Sequence, residues 1–175
     1  MGVHHFKLSM IPRAFLKAWP ELAAGGWSDE QLAAVEDEES GCWANRQPTP
    51  TTVAELRSLL PRDTSWGDVE EFRSEGTWCS DLRIWKDDMG RVWDITLRFS
   101  PVADESDLLL RYVTVAQSAD CVLYEEESGV ILEPRADQVL PHLQSSRAAR
   151  FVAAPKDVIL EAAADAAAAT DGRKG

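Results

Sequence analysis

The stretch LRIWKDDMGRVWDITLRF, residues 82–99, reads as two strands joined by a tight acidic turn with Gly90 at its end. In its second half Trp93, Ile95, Leu97 and Phe99 fall on one face and Val92, Asp94, Thr96 and Arg98 on the other, the period of two of a half-buried strand. Leu82 and Ile84 extend the apolar face through the first half. Setting Ile84 opposite Trp93 places Leu82 against Ile95, Arg83 against Asp94 and Trp85 against Val92, with Lys86 and Arg91 bracketing the turn. Slipping that register by one residue would turn the apolar set to water. Trp93 is therefore expected in the core. Trp85 is expected on the outer face, either as a contact residue or covered by a helix or by the Trp-rich N-terminal third.

A chain of 175 residues is long enough for one domain with a sizeable core, and the expectation is a single α+β domain over residues 1–155 followed by an Ala-rich C-terminal helix or frayed tail over 156–175. With 45% hydrophobic and 27% charged residues, the composition is that of a folded chain rather than a disordered one. No apolar run has the length of a membrane span and the N-terminus lacks a signal-peptide pattern, so a cytoplasmic location is expected. Cys42, Cys79 and Cys121 are odd in number and widely spaced, which fits neither a disulfide framework nor a zinc site. The net charge of -12, from 30 acids against 18 basic residues, disfavours nucleic acid and anionic membrane. It favours a basic protein partner, because a negative surface steers positive proteins toward it.

Outward from the hairpin, residues 3–11 read as a first strand ending at Pro12, with the adjacent His4 and His5 pointing to opposite faces and so unsuited to holding one metal. Ser28 and Gln31 form a capping box for a helix that Gly41 stops, and Thr52 with Glu55 forms a second one for a helix ending at Pro61. A short helix is expected over Asp68 to Arg73. Residues 105–118 have the apolar spacing of an amphipathic helix, with Asp104, Glu105 and Asp107 at its positive end. Cys121–Tyr124 and Val130–Leu132 make a second hairpin, and residues 136–144 a helix with Pro141 inside. Ser145 or Ser146 caps one more helix before Pro155. The sum is an α+β layer: an antiparallel sheet of about five strands with helices packed mainly on one face.

No phosphate-binding glycine loop, HExxH, GxSxG or CxxC is present, and neither a cofactor nor a metal site is expected. The acidic runs Glu36, Asp37, Glu38, Glu39 and Asp68 to Glu71, with Glu70 and Glu71, are usually solvated faces; so are Asp87 and Asp88 at the hairpin turn. The competing reading joins them with Trp85 into a docking surface for a basic protein. A different class, a small-molecule enzyme or sensor, would need a pocket between sheet and helices holding His142, Cys121 or Asp94. A third reading makes the aromatic face the interface of a homodimer.

The C-terminal half, from the hairpin through ADCVLYEEESGVILEP to LQSSRAARFVAAP, resembles small acidic bacterial immunity proteins of polymorphic toxin systems, in which a hairpin, a helix, a second hairpin and a closing helix follow in much this order. The resemblance covers about half the chain and carries over no functional residue. It implies a non-catalytic cytoplasmic protein that binds a cognate toxin and occludes its active site.

Overall fold

The computed structural model describes residues 5–37, 39–102 and 105–155. His4, Glu38, Asp104 and the Ala-rich tail lie outside them. The described chain forms one antiparallel sheet of strands β1 (Phe6–Pro12), β2 (Val69–Arg73), β3 (Asp81–Lys86), β4 (Val92–Phe99), β5 (Cys121–Glu125) and β6 (Val130–Leu132), in the order β2-β3-β4-β1-β5-β6. The helices are α1 (Arg13–Ala18), α2 (Asp29–Val35), α3 (Pro50–Arg57), α4 (Ser106–Ser118), α5 (Ala136–Ser145) and α6 (Arg147–Ala153), with a 3-10 turn at Pro20–Leu22. The fold is α+β. No helix among the described residues is long and apolar enough to cross a membrane.

Strand alternation sorts the sheet into two faces. Leu8, Leu82, Ile84, Ile95 and Leu97 lie on one face and are fully buried. The amphipathic α4 covers it, and Tyr112 donates its hydroxyl to the carbonyls of Leu8 and Ile95, fixing the helix across β1 and β4. Phe6 reaches the ring of His142 on α5 from the same face. On the outer face, residues at both ends of the stretch from Trp27 to Trp43 cover the β1–β5 side: Trp27 stacks on Tyr124 with centroids 4.0 Å apart, and Trp43 donates its indole N–H to the Met10 carbonyl at 3.2 Å. The Trp-rich N-terminal third thus covers that part of the outer face and leaves the β2–β4 end to be finished by other means. Gly25 is where the segment meets the β5–β6 hairpin. Its φ is +71°, and a Cβ there would lie 2.4 Å from the Gly129 carbonyl oxygen, so only glycine fits.

Three sequence expectations are corrected here. Residues 69–73 are a strand and not a helix, which makes the sheet six-stranded; Glu70 and Glu71 point to opposite faces, each matched to a cation, and those pairings outweigh the helical leaning of glutamate. The central hairpin is paired two residues away from the expected register: Leu82 faces Leu97, Arg83 faces Thr96, Ile84 faces Ile95 and Trp85 faces Asp94. A bulge after Trp85 then sets Lys86 against Val92. The extra residue reverses the alternation, so Val92 joins the core and Trp93 leaves it to pack on Trp85, with centroids 5.3 Å apart. The turn is longer than expected because Asp87 organises it, accepting from the backbone N–H of Met89 and Arg91 while Gly90 takes a φ of +76°. Third, α3 starts earlier than Thr52. Thr49 caps it by accepting from the Thr52 N–H, and Pro50 supplies the first turn. The Ser28–Gln31 capping box and the Ser146 cap form as expected.

Candidate functional site

Trp66, Trp85 and Trp93 lie at one end of the sheet, where β2 begins, β3 ends and β4 begins, while the exposed Trp19 and Trp78 lie elsewhere. A tight turn through Gly67 bridges Trp66 to Val69, whose partner on β3 is Trp85. The Asp68 carbonyl accepts from the Lys86 N–H at 2.7 Å, tying this turn to the hairpin. Trp66 is 67% exposed yet held in place, because its indole N–H donates to Glu71 at 3.2 Å. Trp85 and Trp93 sit half-buried at the same end of the sheet, and Met89, 71% exposed, projects from the hairpin tip. The Trp93 indole N–H is buried with no hydrogen-bond partner, a cost the bulge imposes.

Charge at this end is layered. On the outer face Glu71 accepts from Arg83 at 3.1 Å, and Arg83 reaches away from this end to buried Asp81 at the start of β3, at 3.3 Å, which also takes Arg98 at 2.6 Å. On the helix side Glu70 accepts a two-pronged Arg57 at 2.7 and 2.8 Å and also Lys86; Arg57 first and then Lys86 hold its carboxyl down at about 2. Asp87 pairs with Arg91 at 2.6 Å, whereas Asp88 is exposed at the tip.

Of the residues the sequence singles out, Trp85, Glu70, Glu71, Asp87 and Asp88 do come together here. Glu70, Glu71 and Asp87 are engaged by cations of the chain itself, so their negative charge is largely matched before any partner arrives. The other acidic run behaves differently. Glu36 is half-buried past the end of α2, within reach of the charge of Asp94, the register partner of Trp85. Asp37 closes a turn by accepting from the hydroxyl and N–H of Ser40 and the N–H of Glu39, and the Ser40 bonds lower its pKa. Glu39 is exposed. Sequence reading missed Trp66, Trp93 and the Asp81–Arg83–Arg98 cluster. The SWGD turn, with Gly67 just before Val69, was the available signal for a chain reversal there.

The residues named for a catalytic pocket are not assembled into one. Cys121 is buried at the start of β5, and burial pushes its thiol up to about 12, away from a reactive thiolate. His142 lies instead at the far end of that strand. Its Nε2 is 3.1 Å from the Ser128 hydroxyl and 3.5 Å from the Glu125 carboxylate. A Ser-His-acid relay needs the acid on the other ring nitrogen, and here both partners face Nε2. Glu125 also accepts from the N–H groups of Glu127 and Ser128 at 3.0 and 2.8 Å, so the cluster clasps the β5–β6 turn. A shallow pocket of about 440 Å³ between Pro12, Trp43, Gln47, Thr52 and Asp120 contains none of His142, Cys121 and Asp94. No group of three or more His, Cys, Asp or Glu among the described residues is arranged to hold a metal ion.

No protein-family model, curated protein or solved structure matches the chain.

Proposed function

We propose that this chain is a non-catalytic binding protein, an immunity-type inhibitor that receives a basic protein on the tryptophan-bearing end of its sheet. The observation that carries the reading is Trp66: a large aromatic, two-thirds exposed, pinned to Glu71 on a turn at the same end of the sheet as the Trp85–Trp93 pair. A tryptophan whose orientation is fixed before binding loses little entropy on contact, which is what makes such residues binding anchors. The surplus of acids over basic residues supplies long-range attraction for a positive partner, while the matched carboxylates at the site set its polar rim. A nuclease-type toxin fits the chemistry: its phosphate-binding cations would meet the exposed Asp88, with Trp66 filling the desolvated centre. A second copy of this chain is the competing occupant.

The experiment is affinity capture from the native cells, with the native protein and Trp66→Ala compared after circular dichroism confirms equal folding. The reading expects one basic protein retained by the native chain and lost with the variant. Capture that survives Trp66→Ala unchanged contradicts it, and a stable dimer in sedimentation that Trp66→Ala dissolves would assign the face to self-association.

A further inference from the structure

Trp66 is tied to the chain through the edge of its ring. Its indole N–H donates to the Glu71 carboxylate at 3.2 Å, and the residue remains 67% exposed. Among the described residues no other ring stacks on it, whereas the exposed Trp19 has Phe15 against its ring at 6.2 Å between centroids. An indole carries its negative potential on the faces and its positive potential at the edge. An N–H held by an anion polarises the ring further in that sense, so the free face of Trp66 is suited to a cation.

The charge around the ring has the matching sign. Asp68, across the Gly67 turn, is exposed, and Asp63, whose N–H donates to the Glu71 carbonyl at 2.9 Å, is half-buried. Among the described residues neither is in an ion pair, while Glu71 is matched by Arg83 at 3.1 Å. The carboxylates left without a cation in this turn are therefore the two that flank Trp66 in sequence.

We infer that Trp66 seats an arginine side chain of the partner, with the guanidinium stacked on the indole face and Asp68 and Asp63 as its counter-charge. Arginine fits better than lysine, because the planar, weakly hydrated guanidinium stacks on aromatic faces while a lysine ammonium holds its water. The inference rests on this end of the sheet being the docking site for a basic protein, and it names the group that Trp66 touches.

Fluorine NMR of the full chain labelled with 5-fluorotryptophan tests it, since the seven tryptophans then report separately and Trp66→Phe identifies the Trp66 resonance. The probes are a capped peptide of arginines alternating with glycines and the same peptide with citrulline for arginine, which keeps the planar head and removes the charge. The arginine peptide is expected to move the Trp66 resonance about three times as far as those of Trp19 and Trp78, or more, and the citrulline peptide to leave it in place. Asp68→Asn, at an exposed position, should weaken the apparent affinity about twofold or more. Equal shifts from both peptides would make the contact apolar and overturn the seat. Equal shifts at Trp66, Trp19 and Trp78 would reduce it to diffuse attraction and overturn it as well. Loss of a captured basic protein in Trp66→Ala, together with a Trp66 resonance that ignores the arginine peptide, removes the seat and leaves the docking site standing. A Trp66 shift specific to arginine, with no basic protein captured, upholds the seat and removes the inhibitor reading.

Discussion

Under α4, Leu8, Leu82, Ile84, Ile95 and Leu97 are sealed from water; on the reverse of the sheet Ser9, Glu71, Asp81, Asp94 and Thr96 are almost as inaccessible, yet every one is polar. The helix side is held by non-directional apolar burial, and any side chain of suitable volume contributes. The outer side is held by paired groups whose geometry depends on register: Asp81 serves Arg83 and Arg98 only because Asp81 stands opposite Arg98 and two residues from Arg83. Apolar burial makes the sheet stable, and the polar face makes its register unique. Only the polar face has an end where aromatics are left over for a partner.

Substitutions on the two faces should separate these roles. Leu8→Ala, at a fully buried core position, is expected to cost about 2–5 kcal/mol in denaturant unfolding, the largest loss of the set. Asp81→Asn, isosteric and on the polar face, removes the charge that two arginines share; about 1–3 kcal/mol is expected, less than for the leucine because the guanidinium groups keep partial contact with water. An aspartate loss as large as the leucine loss would show that the ion cluster, and not the apolar side, carries the sheet. Gly90→Ala meets no atom within 4 Å, so only its φ of +76° is strained, and about 1 kcal/mol should be lost with the core undisturbed. A greater loss would mean that the turn sets the hairpin register alone.

Much of this was legible in the chain. The alternation of residues 82–99, the capping box at Ser28, the amphipathic spacing of α4 and the second hairpin each announce themselves locally, because each rests on neighbours in sequence. What the sequence concealed is what depends on distant partners. The bulge that exchanges Val92 for Trp93 in the core is fixed by Gln47, whose side chain donates to the Val92 carbonyl and accepts from its N–H, 45 residues away. The strand at 69–73 looked helical because glutamate favours helices, and nothing nearby names Arg57, Arg83 and Lys86 as partners. The candidate site was half visible: Trp85 and the acids of the hairpin and of β2 were picked out, while Trp66 was hidden in a stretch whose strand went unread.

Two exposed tryptophans provide the most direct test of the central claim. Trp66 stands at the proposed site, pinned to Glu71, and Trp19, 51% exposed, stacks on Phe15 outside the sheet. Calorimetric titration of the captured basic partner should show Trp66→Ala weakening binding by about 2 kcal/mol or more, with Trp19→Ala near native. Equal losses from the two, or a loss confined to Trp19→Ala, would contradict the account.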